Sequence, residues 1–400
     1  MVNYLNETTL GDSYDASVRD HPAYEKLLAA ITKYFGTYAD PRQLQYVIKK
    51  RFDRNIRSSI DIIPQSRRAG DMLTLKDLDE HAQAIVDWLI QIPRSYSFYI
   101  PIPQLCSYRR GEISLADDLG FYEFGCNDNR IIIEGDPDLE GARTAKGEGL
   151  RHDQTDAVAY LVVRSEGFFD PSEGRGATAG AIAKAKQFLF LARLTSPFFD
   201  ECYDVPTSKT GFVIDESLGT EHAAPFILPA GLRAGLRTWE IAPWFDNDDG
   251  ELSANALATE LRSDFKVVLK ILADASKNES ILTACEWAFD SWYEFNDTIA
   301  FMFLSIAFEA LLDSPGGSKG LADTLGNNLA LIVATSNSER DKVRSNFRKY
   351  YQIRSKVVHG KQLKCSLEEQ KYLLWGREYF LKLLKKEVEI AIASTSGSLT

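Results

Sequence analysis

The sequence predicts an α+β N-terminal domain over residues 1–250, followed by an all-α helix bundle over residues 254–393. Three observations lead to this fold class. Up to about residue 250, apolar residues recur with both helical and strand periods, whereas beyond residue 253 the period is almost purely helical. Pro315 is the only proline between Pro243 and the C-terminus. The polar cluster 246–250 interrupts all periodicity and marks the expected boundary.

In the N-terminal 250 residues, helical patterns alternate with short extended runs. Helical periodicity predicts helices over residues 21–35, 43–52, 75–92 and 177–195. Apolar runs predict strands over residues 97–102, 130–134 and 157–164, and the glycine-rich stretch 135–156 is predicted to be a loop. Alternation of this kind is typical of an α+β domain, and its type is left open.

The C-terminal part is predicted to form six helices joined by short loops. Their expected bounds are 254–275, 279–295, 297–313, 320–335, 338–358 and 366–392. Asn296 or Asp297 can cap the third helix and Ser338 the fifth, while Gly360 follows the fifth where a left-handed residue is favoured. The small polar residues 394–400 are expected to form a flexible tail.

Composition and charge narrow the function classes. The chain has a net charge of −11, but residues 339–389 hold 14 Lys and Arg against seven Asp and Glu. A surface that binds phosphates is therefore expected near the C-terminus. The chain contains no apolar run long enough to span a membrane, and its five cysteines form no C-x-x-C pattern. We expect a cytoplasmic protein with no membrane association, no metal site and no cofactor.

The fifth predicted helix carries an arginine within its apolar face. At 100° per residue, one stripe contains Val343, Phe347, Tyr350, Val357 and Val358, and Arg354 falls in its middle. An unpaired guanidinium in a packed face costs several kcal/mol. Arg354 is therefore expected to meet a carboxylate, to lie at a wet interface, or to bind an anion.

A histidine ends the same helix. His359 occupies the last turn before Gly360, where the carbonyl dipoles of the helix favour the imidazolium form. Ser355 precedes His359 by four residues, so that their side chains share a face. Arginine, serine and histidine therefore lie within six residues of one another at one helix end.

The segment Y-Q-I-R-S-K-V-V-H-G (351–360) resembles the R-x4-6-H signature of the HEPN superfamily, and in particular the Apea-like HEPN domains. The preceding helix, E-F-N-D-T-I-A-F-M-F-L-S-I-A-F-E-A-L-L-D (294–313), is similar to the helix that precedes the signature in that family. The resemblance covers residues 254–393, about a third of the chain, and predicts a HEPN-type bundle there.

The resemblance implies a metal-independent endoribonuclease whose composite site forms across a homodimer of HEPN domains. His359 would be the general acid or base and Arg354 the clamp on the phosphate. Glu309 matches an acid near the active centre of the family, where it could pair with Arg354. An exposed helix glutamate is the alternative interpretation of that residue.

Several neighbours of the signature are expected to support catalysis or to contact RNA. Ser355 stands where catalytic members often carry Asn, Asp or His, and it can still donate a hydrogen bond. Tyr350 or Tyr351 could stack on a base, with core packing as the alternative. The lysines expected to contact the RNA backbone, unless they form a solvated face, are Lys349, Lys356 and Lys361.

Three functional hypotheses stay open at this point. The first is a HEPN ribonuclease of antiviral defence or of a toxin system, whose N-terminal domain senses a trigger or inhibitor or selects the RNA. The second is a non-catalytic HEPN scaffold for dimerisation or RNA binding. In the third, the N-terminal domain carries an unrecognised activity and the HEPN part is regulatory.

Overall fold

The structure is a computed structural model that describes part of the chain. The described residues are 22–35, 48, 73–101, 109–110, 113–114, 122–126, 129–133, 159–169, 176–195, 199–200, 210–217, 224–236, 240–241, 254–312, 320–360 and 364–396. These residues form ten helices and ten strands, so the described fold is mostly helical with a smaller β component.

Among the described residues, four helices with both ends defined precede the C-terminal helical part. They are α1 (Pro22–Phe35), α2 (Leu75–Leu89), α3 (Gly176–Thr195) and α4 (Ala230–Leu236). The helices predicted over residues 21–35, 75–92 and 177–195 are confirmed within a few residues at their ends. The helix predicted over residues 43–52 lies outside the described residues except for Ile48, and α4 was not predicted.

Six of the strands form one sheet in the order β4-β5-β6-β1-β8-β9. In chain order the ten strands are β1 (Arg94–Pro101), β2 (Arg109–Arg110), β3 (Ile113–Ser114), β4 (Tyr122–Cys126), β5 (Asn129–Ile133), β6 (Ala159–Gly167), β7 (Phe199–Asp200), β8 (Thr210–Asp215), β9 (Ala224–Ile227) and β10 (Glu240–Ile241). The pairs β4 with β5, β5 with β6 and β8 with β9 are antiparallel. β2 pairs with β3, and β7 with β10, as separate two-stranded sheets.

Strands β1, β5 and β6 confirm the three strands predicted from the sequence. Strands β4, β8 and β9 of the large sheet were not predicted. A close approach of backbone explains the glycine in β8, because a Cβ at Gly211 would lie 2.7 Å from the Tyr99 carbonyl oxygen and 2.6 Å from the Phe226 ring. The predicted loop 135–156 lies outside the described residues.

The chain divides into two compact units. One comprises Met1–Tyr96, Ser165–Gly180 and Asp215–Gly219, and the other comprises Ser97–Arg164, Ala181–Ile214 and Thr220–Thr400. The second unit therefore contains the whole C-terminal helical part together with most of α3. The domain boundary expected near residue 250 stays a prediction, since residues 242–253 lie outside the described ranges.

The described residues of the C-terminal part form six helices, as the sequence predicts. They are α5 (Ala254–Ala273), α6 (Glu279–Tyr293), α7 (Asp297–Leu312), α8 (Leu321–Val333), α9 (Asn337–Val358) and α10 (Leu367–Ser396). Helix α10 continues to Ser396, into the segment 394–400 that was expected to be a tail. All other predicted ends lie within two residues of the observed ones, because capping residues and short loops punctuate this part of the sequence.

Capping residues set both ends of α9, the helix that carries the candidate site. The expected cap Ser338 is wrong: the N-cap of α9 is Ser336, whose Oγ accepts a hydrogen bond from the Glu339 N–H at 3.2 Å. Asn296 caps α7, with its Oδ1 accepting from the Thr298 N–H at 3.0 Å. At the other end of α9, Gly360 adopts φ 66°, the left-handed conformation expected from the sequence.

An aromatic core joins α7, α9 and α10. Phe308 of α7 meets Phe347 and Tyr350 of α9 and Phe380 of α10 edge-on, with ring centroids 5.3 to 5.8 Å apart. Edge-to-face contacts of this kind add about 0.5–1.5 kcal/mol each beyond the burial of area. This core fixes how α9 is rotated against α7, and so determines which residues of α9 meet Glu309.

Candidate functional site

Arg354 lies on α9 and pairs with a carboxylate of α7. Its Nη2 is 3.2 Å from Oε1 of Glu309, and the two side chains are 24% and 31% exposed. Of the three environments that the sequence allowed for this arginine, the structure shows the meeting with a carboxylate. The guanidinium is therefore neither isolated in a dry core nor freely solvated.

Tyr351 completes the arrangement around Glu309. Its hydroxyl donates a hydrogen bond of 2.6 Å to Glu309 Oε1, and the guanidinium carbon of Arg354 lies 5.2 Å from the centre of its ring. Burial raises the pKa of Tyr351 well above its usual range, and the accepting, negatively charged Glu309 raises it further, against a smaller opposite effect of Arg354. At neutral pH the phenol is protonated and acts as a hydrogen-bond donor.

Glu309 is the centre of this three-residue cluster. Its Oε1 accepts a hydrogen bond from Tyr351 and forms an ion pair with Arg354, so the carboxylate is held from two sides. Its partly buried side chain is not the freely exposed helix glutamate of the alternative interpretation. Because Oε1 pairs with the guanidinium and accepts the hydrogen bond of the phenol, Glu309 restricts the positions available to both.

His359 lies at the end of α9 as the C-cap residue. Its backbone N–H donates to the Ser355 carbonyl at 3.1 Å, and the N–H of Gly360 donates to the Val357 carbonyl at 3.0 Å. The residue is exposed, and its imidazole forms no hydrogen bond with any residue that the structure describes. The exposed imidazole is accessible to a bound substrate, as a general acid or base must be.

Ser355 is half-buried one turn before His359. The contact between them that the structure records runs through the backbone, where the Ser355 carbonyl accepts the His359 N–H. A role of the Ser355 hydroxyl in orienting a substrate stays a prediction.

The predicted lysines lie on a different flank of α9. Lys349 Nζ lies 5.9 Å from the centre of the Tyr372 ring of α10, and Lys356 Nζ is 3.6 Å from Glu369 Oε1 of the same helix. Lys361 lies outside the described residues. The structure thus brings Arg354, Glu309 and Tyr351 together but directs Lys349 and Lys356 towards α10.

The prediction that a base stacks on Tyr350 or Tyr351 is wrong. Tyr350 is fully buried, and its hydroxyl donates to the Phe301 carbonyl at 3.2 Å. Tyr351 is buried too, with its ring stacked on that of Phe347 at a centroid distance of 5.9 Å. Neither ring has a face open to a base, because both are packed in the bundle core.

Val358 departs from the predicted apolar stripe. The stripe members Val343, Phe347, Tyr350 and Val357 are buried, whereas 45% of Val358 is exposed. Val358 is the last helical residue of α9. The stripe predicted from the angles therefore holds along α9 but not at its final residue.

The aromatic residues of α10 that line its seam with α9 were not predicted as functional residues. Tyr372, Trp375 and Tyr379 are all half-buried, and Trp375 and Tyr379 stack with ring centroids 4.7 Å apart. Their spacing of three and four residues places them on one face of a helix. That spacing was the signal available in the sequence.

The wider surroundings offer little for a metal. Among the residues that the structure describes, no group of three or more His, Cys, Asp or Glu side chains could hold an ion. Cys285 and Cys365 are free thiols, and burial raises the pKa of both. None of the described helices is long and apolar enough to cross a membrane.

Comparisons with protein families, with curated proteins and with solved structures find no match to this chain. The geometry of the cluster and of the helix end is therefore the basis for a functional proposal.

Proposed function

We propose that the chain is a metal-independent HEPN endoribonuclease, in which Arg354 holds a phosphate and His359 transfers protons. One observation carries the proposal. A partly exposed guanidinium, oriented by Glu309 and Tyr351, precedes by five residues an exposed imidazole at the end of the same helix. RNA cleavage without a metal needs these two groups, a fixed cation and a side chain that transfers protons.

In the proposed reaction, the 2′-hydroxyl of the RNA attacks the adjacent phosphorus and the bond to the 5′ oxygen breaks. The hydroxyl proton passes to a base, the leaving oxygen receives a proton, and His359 performs one of these transfers. The products end in a 2′,3′-cyclic phosphate and a 5′-hydroxyl. Arg354 stabilises the charge that develops on the phosphate oxygens.

Arg354 retains donors for such a phosphate. Glu309 engages Nη2 of a group that carries five N–H donors in one plane. No other described residue forms a hydrogen bond or an ion pair with the guanidinium. The remaining donors can therefore meet two phosphate oxygens in the paired geometry that arginine favours.

We extend the proposal to the assembly and the biology that the family resemblance implies. Two chains would form a homodimer through their HEPN bundles and combine their Arg354 and His359 residues in composite sites. A cytoplasmic enzyme of this kind would act in antiviral defence or as a toxin, under control of a trigger or inhibitor that binds the N-terminal part.

A non-catalytic scaffold is the second candidate, and a specific observation favours it. Glu309 already neutralises Arg354 in the folded chain, so the arginine is accounted for without a bound phosphate. In a scaffold, replacing His359 would leave every function of the protein intact. The two candidates therefore differ in what His359 does.

The test measures the cleavage of a mixed transfer and messenger RNA substrate in EDTA. Arg354→Ala and His359→Ala should each abolish cleavage and leave the melting temperature nearly unchanged, except for the lost Glu309 contact in the first. Arg348→Ala is the matched control, since Arg348 is an exposed arginine on the same helix that pairs with Asp323 at 2.8 Å. Cleavage at the wild-type rate by either site variant would refute the assignment.

The composite site has its own test. Mixed dimers of the Arg354→Ala and His359→Ala chains contain one site with an intact arginine from one chain and an intact histidine from the other. If the site is shared between chains, mixing the two inactive proteins should restore part of the cleavage. No activity in mixed dimers of demonstrated composition would contradict a shared site.

A further inference from the structure

The seam between α9 and α10 carries a second set of basic and aromatic side chains. The two helices run antiparallel: Lys356 Nζ is 3.6 Å from Glu369 Oε1, whereas Lys349, earlier in α9, lies over the ring of Tyr372, later in α10. Lys342 is exposed and lies two turns before Lys349 on the same flank of α9, about 10 Å away.

Three aromatic rings line the α10 side of this seam. Tyr372, Trp375 and Tyr379 are half-buried and occupy one stripe of the helix. The rings of Trp375 and Tyr379 lie at 27° to each other, and Lys382 Nζ is 4.3 Å from the centre of the Tyr379 ring. Rings of this kind are wide apolar surfaces that the bundle core covers only in part.

The lysines along the seam are exposed and only partly neutralised. Lys356 pairs with Glu369 and Lys382 with Glu378. Lys342, Lys349 and Lys371, in contrast, form no ion pair with any described residue. We define the α9–α10 seam by its three aromatic rings and the lysines beside them, which are Lys342, Lys349, Lys371 and Lys382.

We propose that the α9–α10 seam binds single-stranded nucleic acid. Surfaces that bind single strands without sequence preference combine lysines and arginines that meet phosphates with aromatic rings on which bases stack. The seam contains both elements, and its rings follow one another at about one helix turn. Duplex nucleic acid is not expected to bind as well, since its bases are already stacked and their faces are covered.

This surface is distinct from the site around Arg354. The guanidinium of Arg354 meets Glu309 of α7, whereas the seam lies towards α10 on another flank of α9. The proposal therefore goes beyond the proposed cleavage, and it holds whether or not the protein cleaves RNA. If the protein cleaves RNA, the seam would bind the strand at a point away from the phosphate that reacts.

The first test measures the binding of a fluorescent 15-nucleotide oligothymidylate by anisotropy. This probe has no 2′-hydroxyl, so a failure of the proposed cleavage chemistry does not affect the result. The full chain should bind it with a Kd of about 1 to 100 μM near physiological salt. Absence of binding at millimolar concentrations would overturn the proposal.

Aromatic variants test whether bases stack on the seam. Tyr372→Leu and Tyr379→Leu should each weaken binding by about 5- to 150-fold, the effect of losing one base stack. Tyr379→Phe keeps the ring and should bind within twofold of the wild type. Phe295→Leu is the matched control, because Phe295 is an exposed ring between α6 and α7 and is not one of the seam residues. Equal binding by the leucine variants, with unchanged melting temperatures, would overturn the proposal.

Salt dependence tests the lysines separately from the rings. Each phosphate contact contributes about 0.7 to the slope of log Kd against log salt concentration for a single strand. The double variant Lys342→Gln, Lys349→Gln should therefore reduce the slope by about 1.4. Lys385 is an exposed lysine of α10 outside the seam, so Lys385→Gln should leave the slope unchanged.

Two competitors separate a nucleic-acid surface from a general acidic partner. An unlabelled single strand should displace the probe far better than a duplex of the same sequence or a polyglutamate of equal charge. Displacement by polyglutamate at the same charge concentration would mean that the seam recognises negative charge alone, as an acidic protein partner would supply it. That result would overturn the proposal.

Discussion

The hydrogen bond between Tyr351 and Glu309 should contribute more to stability than the ion pair between Arg354 and Glu309. The two interactions share the same carboxylate oxygen but differ in length and in burial. The Tyr351 hydroxyl lies 2.6 Å from Oε1 and belongs to a buried ring, whereas the Arg354 nitrogen lies at 3.2 Å on a side chain that is 24% exposed.

The expected energies follow from these environments. A hydrogen bond to a charged group contributes about 1.5–3 kcal/mol, so we expect a coupling of about 2 kcal/mol between Tyr351 and Glu309. An ion pair that solvent reaches contributes about 0.2–1 kcal/mol, and a partly buried one falls at the upper end of that range. We therefore expect about 1 kcal/mol for Arg354 with Glu309.

Double-mutant cycles measure both couplings. The variants are Tyr351→Phe, Arg354→Gln and Glu309→Gln with their pairwise combinations, and the free energy of unfolding is measured in urea at pH 7. Arg348→Gln and Asp323→Asn form the control cycle, because that pair is 59% and 58% exposed. A Tyr351–Glu309 coupling no larger than that of the control pair would refute the reasoning.

Three further predictions concern α9 and its contacts. Ser336→Ala should lower the free energy of unfolding by about 1 kcal/mol, whereas Ser338→Ala should leave it nearly unchanged, as comparison of urea midpoints will show. Gly376→Ala should destabilise the protein by about 1–3 kcal/mol despite the better helix propensity of alanine, because the new Cβ would lie 2.8 Å from the Tyr350 ring; a raised melting temperature would contradict this. Burial raises the pKa of Tyr351 in the folded chain. Above about pH 10 the unfolded chain therefore loses this proton before the folded chain does, and the free energy of unfolding falls as the pH rises. Between pH 10 and 11, the free energy of unfolding should fall less steeply in Tyr351→Phe than in the wild type, by up to about 1.4 kcal/mol per pH unit. Equal slopes would contradict the raised pKa.

Helix ends in the C-terminal part could be predicted because local chemistry marks them. A glycine adopts the left-handed conformation for local reasons, as Gly360 does after α9. Asn296 likewise caps α7 with its own side chain. The choice of Ser336 over Ser338 was missed because both serines precede the helix pattern closely. In the structure, Thr335 donates its backbone N–H to the Glu339 carboxylate at 2.9 Å, which helps to fix the earlier start.

Interhelical partners could be predicted only in part. The position of Arg354 within an apolar stripe indicated that the arginine needs a partner, and the family resemblance pointed to Glu309. The roles of the two tyrosines could not be read in the same way. Whether an aromatic ring on α9 faces the core or solvent depends on how α7 and α10 cover the helix, and Tyr350 and Tyr351 are both covered.

The sheet was the least predictable part. Strand β4 pairs with β5 and β8 with β9, and each of these strands is four to six residues long. Runs of this length show too few alternations for a reliable period. Pairing partners supply the hydrogen bonds that make such short runs into strands, so the pattern of one short run alone does not identify it as a strand.

The measurement that tests the central claim most directly is an end-group analysis of RNA fragments made by the purified chain in EDTA, beside His359→Ala. His81→Ala serves as a histidine control on α2. Our account predicts fragments with 2′,3′-cyclic phosphate and 5′-hydroxyl ends from the wild type and the control, and none from His359→Ala. Fragments with 3′-hydroxyl and 5′-phosphate ends, or the same cyclic-phosphate ends from His359→Ala, would contradict the proposed chemistry of Arg354 and His359.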